Sequence, residues 1–112
     1  MKLMKIIPSD VKGKKYSAYF LLDKDKNGKQ KEKKVSFGAN GYRDLILMND
    51  KSSKFYEKDK KERDKVKNAY RARHAGDRLT DPMSPGALSY YILWQTPSFG
   101  GSIRNFKRKF NL

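Results

Sequence analysis

Residues 16–37 read Tyr16-Ser-Ala-Tyr-Phe-Leu-Leu-Asp-Lys-Asp-Lys-Asn-Gly-Lys-Gln-Lys-Glu-Lys-Lys-Val-Ser-Phe37. The first seven are aromatic and branched enough for a strand, and Lys31 to Phe37 reads as a second. Between them Asn27-Gly28 can supply the positive φ angles of a hairpin turn. Leu3 to Pro8, a short apolar run closed by a proline, suits an edge strand beside this pair. The expectation is an antiparallel hairpin or three-stranded meander. Phe37-Gly-Ala-Asn-Gly-Tyr42 then breaks the pattern, and two glycines there suggest a turn with Phe37 and Tyr42 packed inward. Asp44 to Asn49 fits either one more short strand or a helical turn, and residues 50–58 read as a polar loop.

Past that point the sequence turns helical. Asp59 to His74 contains no Gly or Pro, and Val66, Ala69, Tyr70 and Arg73 share one face at helical spacing. Asp59 and Glu62 sit at the positive end of the helix dipole, and Gly76 offers a stop. Ser84-Pro85 is an N-cap followed by the residue best tolerated at the first helical position. The segment from there to Gln95 is apolar on most sides. Thr96-Pro97 stops and restarts the chain. A final helix places Phe99, Ile103, Phe106 and Phe110 on one side, with Arg104, Lys107 and Arg108 on the other. The predicted fold is therefore α+β: a strand-rich part over 1–49 and a helical part over 59–112. The two form one domain over 1–112, with the sheet packed on two to three helices. Trp94, Tyr91, Leu88, Phe106 and Phe110 are expected in a shared core.

The chain has 112 residues, of which 37% are hydrophobic and 35% charged, so the core is modest. Seven Tyr, six Phe and one Trp give large burial per residue and argue for a folded domain rather than a disordered polycation. There is no cysteine, which excludes disulfides and thiolate metal sites. No apolar run approaches the roughly 20 residues that span a bilayer. Met1 to Ile7 is too short, and too interrupted by Lys2 and Lys5, for a signal peptide. The expected location is the cytoplasm, or an assembly built there.

The formal net charge is +15, from 27 basic and 12 acidic residues. Residues 1–40 carry +7 (11 basic, 4 acidic), 41–81 carry +4 (12 and 8) and 82–112 carry +4 (4 and 0). The ends are basic with little compensation, and the middle is mixed. Such a field draws anionic partners. The candidate binding residues fall in three clusters: Lys12, Lys14, Lys15; Lys29, Lys31, Lys33, Lys34; and Arg104, Lys107, Arg108, Lys109. In a hairpin the first two clusters are expected to come close. The aromatics lie in apolar runs and read as core rather than as base-stacking platforms. No helix-turn-helix, zinc-finger or RNA-binding strand signature appears, so sequence-specific DNA reading is not expected.

Sites of chemistry are harder to find. Asp23-Lys-Asp-Lys-Asn-Gly28 matches the first half of a calcium loop, but the closing position holds Lys34 and the flanks are strands. A hairpin turn accounts for it better. His74 is the only histidine, with no cysteine to share a metal and no nucleophile placed for it to activate. Gly38 to Gly41 lacks the Gly-Lys-Ser/Thr of a phosphate loop. No metal, cofactor, small-molecule substrate or catalytic activity is expected.

Four segments then occur in a fixed order: Phe37-Gly-Ala-Asn-Gly-Tyr-Arg-Asp44; Tyr70-Arg-Ala-Arg-His74; Asp81-Pro-Met-Ser-Pro-Gly-Ala-Leu-Ser-Tyr-Tyr-Ile-Leu-Trp94; and Ser102-Ile-Arg-Asn-Phe-Lys-Arg-Lys-Phe110. Over residues 16–112 this resembles a group of small basic proteins from large double-stranded DNA viruses of algae and protists. The resemblance implies a virion protein assembled in the host cytoplasm. The charge then points to the role: a compact domain of +15 can dock on acidic surfaces of other capsid proteins or face DNA or an anionic membrane, so a minor capsid component is expected. The alternative is a nucleic-acid-binding virion protein that packages the genome. As a test of the core, Trp94→Ala should cost about 3–5 kcal/mol in a denaturant melt. A tryptophan freely accessible to a fluorescence quencher would contradict it.

Overall fold

The structure is a computed structural model that describes residues 1–112. Three strands, β1 (Lys2–Pro8), β2 (Lys14–Leu21) and β3 (Glu32–Ala39), make an antiparallel sheet in the order β1-β2-β3. The central strand is the one the sequence marks as most apolar. Ile6, Ala18 and Val35 face each other across the three strands, as do Lys5, Tyr19 and Lys34 one step along. Side chains alternate along a strand, so the first row faces the core and the second faces outward. Leu3, Ala18, Phe20, Val35 and Phe37 are buried on the inner side. β1 is irregular between Leu3 and Lys5 and ends at Pro8. Both features blunt an exposed edge strand.

The opposite face of the sheet is closed at one end by the β1–β2 loop. Ser9 folds over β2, and its hydroxyl lies 2.7 Å from that of Ser17, itself 2.9 Å from Ser36. Ser17 is fully buried in this way without losing its hydrogen bonds. At the far end of β2 the connection to β3 turns at Asp25, whose carboxylate accepts from the amides of Asn27 and Lys29. Only Gly28 adopts the left-handed conformation there (φ 77°); Asn27 does not need to.

The helical half begins at α1 (Leu45–Asn49), which settles the open reading of that segment in favour of a helical turn. Asp44 caps it by accepting from the Leu47 amide at 2.8 Å, and Leu45 and Met48 enter the core. α2 (Lys60–Arg73) starts on the Asp59 cap and has no fully buried residue. Its half-buried stripe runs through Arg63, Val66, Lys67, Tyr70 and Arg71. This corrects the expected face, because Ala69 and Arg73 are exposed. Val66 and Tyr70 pack as expected, and the long stems of Arg63, Lys67 and Arg71 complete the stripe.

α3 (Pro85–Leu88) follows its Ser84 cap as the sequence indicates. The chain then widens into a single π turn over Ser89–Leu93, burying Ile92 and Leu93. α4 (Phe99–Phe110) is capped by Ser98 and closed by Asn111 in the left-handed conformation, where the Leu112 amide donates to Lys107. Phe99 stacks on Tyr16 with ring centres 4.7 Å apart, fastening the start of α4 to the sheet. The architecture is α+β, with the sheet preceding the helices. Twelve buried side chains from both halves make one core, Trp94, Leu88 and Phe106 among them, and Tyr91 and Phe110 pack against it.

The body is long: 54 × 26 × 21 Å, with a radius of gyration of 15.0 Å. A compact domain of this length has about 13 Å. Gly38 and Gly28 share nearly the same positive φ, 78° and 77°, but not the same surroundings. A Cβ on Gly38 would stand 2.9 Å from Leu93 Cδ1, whereas Gly28 has nothing within 4 Å. Gly28→Ala should therefore cost about 1–2 kcal/mol from backbone strain alone. Gly38→Ala should cost about 1–3 kcal/mol more for the collision, measured by paired denaturant melts. Equal costs would show that the π turn does not press on β3.

Candidate functional site

The site grows from a buried ion pair. Lys15, near the start of β2, reaches Asp44 Oδ2 at 2.7 Å and the Tyr42 carbonyl at 2.6 Å. The two side chains are only 10% and 3% exposed. Asp44 uses its other oxygen to cap α1, so both ends of the carboxylate are occupied. One lysine thus clamps the backbone of the lip that follows Gly41. On that lip Tyr42 is 70% exposed and Arg43 points no charge at any acid. The inward packing expected for Tyr42 does not occur. Phe37 does pack inward, while Gly41 (φ 85°) precedes the exposed Tyr42 in the left-handed conformation.

Opposite the lip stands the exposed edge of α2. A groove of about 760 Å³ lies between them, floored by Leu93, Trp94 and Val66. Arg43 rims it on one side, and Lys65 and Arg73 rim it on the other. None of these three cations enters an ion pair; Glu62 is the one carboxylate at the groove. The α2 wall is held by a ring stack. Tyr70 lies on Trp94 at 4.4 Å and 11°, and His74 lies on Tyr70 at 4.2 Å. His74 Nδ1 meets Asp77 at 2.9 Å. Arg71 completes the attachment from its Nη1, which donates to the carbonyls of Tyr90 and Trp94 and to Gln95 Oε1. Its guanidinium covers the Tyr90 ring at 4.0 Å. These carbonyls close the π turn, where a cation is favourable.

On the other side of the π turn Arg71, Arg108 and Lys109 border a shallower recess of about 550 Å³ beside Tyr90 and Tyr91. A π turn rearranges the side chains on either side of it, and such turns recur at functional sites. Lys109 stands 5.1 Å from the Tyr91 ring centre, so part of its charge is engaged by that face.

The residues proposed from sequence are thereby distributed. Lys12 and Lys14 are exposed where β2 begins, and Lys15 is spent on Asp44. Lys31 and Lys33 are exposed at the other end of the hairpin, where Lys33 pairs with Phe20. Lys14 and Phe20 are six residues apart along β2, about 20 Å at the usual strand rise. The two clusters therefore do not come together, because antiparallel pairing sends their ends apart. Lys34 alone reaches back, pairing with Asp10 of the β1–β2 loop. That contact raises the Lys34 pKa and lowers that of Asp10, each chiefly through their shared hydrogen bond. Arg108 and Lys109 meet Arg71, while Arg104 and Lys107 lie outside that recess. Tyr42, Arg43, Lys65 and Arg73 were not singled out from sequence as a site. The available signal was that Tyr42 stands outside every apolar run.

No group of three His, Cys, Asp or Glu side chains comes close enough to hold a metal ion. No helix is long and apolar enough to cross a membrane. Comparison of the chain with known protein families, with curated proteins and with solved structures finds no match.

Two tyrosines feel the packing around this site. Burial pushes the Tyr16 phenol above its usual pKa of 10.0, and the nearby Asp44 charge adds to it. Burial does the same for Tyr70, with Asp77 adding to it. Both raised values mean that the folded state loses stability as pH climbs past the ordinary tyrosine range and none at neutral pH. In an absorbance titration of the folded protein, Tyr16→Phe and Tyr70→Phe should each remove a late-ionising component. Removal of an early component by either would contradict the burial of that phenol.

Proposed function

We propose that the protein is a non-catalytic structural component of a large DNA virus particle, where it joins neighbouring shell proteins through separate basic surfaces. The observation that carries this reading is the distribution of free charge on a long body. Lys31 and Lys33 lie at one end of the hairpin and Lys12 and Lys14 at the other, with Arg108 and Lys109 on α4. A nucleic-acid channel would favour one continuous cationic track. Dispersed patches on a body 54 Å long suit contacts with several acidic surfaces at once. The resemblance of the four ordered segments to small basic viral proteins supplies the particle. The state of His74 agrees with a binding role, since its face lies on Tyr70 and its Nδ1 is engaged by Asp77.

The second reading, non-specific binding of the genome, is favoured by one observation. Tyr42 is exposed beside the unpaired Arg43, a pairing that can stack on a base and meet a phosphate. The readings separate when particles are opened gently at about 150 mM salt, where weak phosphate contacts are screened. The structural role predicts that the protein stays with the emptied shell. Lysine cross-links from Lys31 or Lys33 should then reach a different neighbour from those of Lys107 or Lys109. Retention on the genome core, with protection of the DNA from nuclease, would overturn it.

A further inference from the structure

The groove between β3 and α2 has a more specific character than a basic surface. Its lip is pre-organised: Lys15 holds the Tyr42 carbonyl at 2.6 Å, and Asp44 anchors the next turn. The Tyr42 ring is nonetheless 70% exposed. Fixed backbone beneath an exposed tyrosine and arginine is the arrangement that interface anchors favour, because little freedom is lost on binding. The floor, however, is not a stacking platform. Tyr70 already stacks with both Trp94 at 4.4 Å and His74 at 4.2 Å, and Trp94 is itself buried. What the groove offers inside is aliphatic surface from the half-buried Val66 and the exposed Ala69, laid over the buried Leu93. Its volume of about 760 Å³ has room for a few side chains. Glu62 at its wall lowers the positive charge of the groove but leaves Arg43, Lys65 and Arg73 in excess.

We propose that this groove takes an acidic segment of a partner protein, with one apolar side chain seated on Val66 and Ala69 opposite Tyr42. Carboxylates on either side of that side chain meet Arg43 across the lip and Arg73 on α2. The proposal rests on the partner-protein reading above and names its chemistry. The recess beside Arg71, Arg108 and Lys109 is not part of it, since Arg71 there serves the end of the π turn.

The test uses the purified full chain, so that it is independent of any particle. The probe is a short labelled peptide of alternating Glu and Ser with a single central Leu. It is compared with the same peptide carrying Ser at the centre and with oligothymidylate of equal charge. The emission of Trp94, the single tryptophan, reports on the groove it lines. The Leu peptide should bind about tenfold more tightly than the Ser peptide, and Tyr42→Ala and Arg43→Glu should each remove about that factor. Lys33→Glu, at the far end of the hairpin, should leave the difference between the peptides intact. The melting temperature of Tyr42→Ala should match the parent, because the ring it removes is mostly exposed. Equal binding of the two peptides would overturn the proposal, as would unchanged binding by Tyr42→Ala. Displacement of the Leu peptide by a lower concentration of oligothymidylate would assign the groove to nucleic acid instead. Shell association in opened particles, with no peptide bound by the groove, would retain the structural role and reject this site.

Discussion

Lys15 and Asp44 bring opposite charges into a nearly dry setting, and Lys15 makes the side-chain hydrogen bonds that join the sheet to the helical half. Lys15 belongs to the central strand, and Asp44 begins the first helix. Burying either charge alone is expensive, because neither the ammonium nor the carboxylate would keep its water. Complete pairing offsets that cost. The ammonium meets Asp44 and the Tyr42 carbonyl, and the carboxylate also receives the Leu47 amide. No buried side-chain polar atom is left without a partner. Such a pair adds little net stability over an apolar substitute, but it makes one arrangement far better than its neighbours. The placement of α1 and the direction of the Tyr42–Arg43 lip are tied to β2 by the same three contacts.

The rest of the molecule divides by how firmly it is tied to that centre. α4 is anchored by Phe106 in the core, by Phe99 on Tyr16 and by Ser102, whose hydroxyl meets Thr96 at 2.9 Å. α2 is held by less: the Tyr70–Trp94 stack, the Arg71 contacts and the half-buried Val66. With no fully buried side chain, α2 is tied to the core less deeply than α4, which buries Ser102 and Phe106. The exposed edge of α2 is also the outer wall of the groove. A fixed lip facing a lightly held wall lets an occupant draw the wall inward without disturbing the core.

Much of this was legible in the sequence, and the exceptions share a cause. The hairpin was visible because alternating apolar residues and a turn glycine are local signals. Asp59 and Ser84 begin helices through their own side chains, which needs no knowledge of the rest of the fold. The α4 stripe was visible for the same reason, whereas α4 is capped by Ser98 and not at the Thr96-Pro97 step that marks its start in the sequence. What could not be read depends on contacts distant in sequence. Lys15 looks like its neighbours Lys12 and Lys14 until Asp44 is placed beside it. The π turn at Ser89–Leu93 has no local signature and is supported by Arg71, far back on α2. The packed face of α2 shifted because tertiary contacts selected Arg63 and Lys67 stems over Ala69. Tyr42 stands outward because Lys15, distant in sequence, holds its carbonyl, a contact that no local pattern announces.

The central claim is that the Lys15–Asp44 pair fixes the join between sheet and helices, and a double-mutant cycle tests it most directly. Lys15→Met and Asp44→Asn should each destabilise the protein by about 3–5 kcal/mol, since each leaves one buried group unmatched. Asn still caps α1, so loss of the cap does not confuse the second measurement. The combined variant should recover most of that loss, giving a large favourable coupling between the two positions. Single variants that each cost less than about 1 kcal/mol, as exposed ion pairs do, or that simply add in the double variant, would contradict the account.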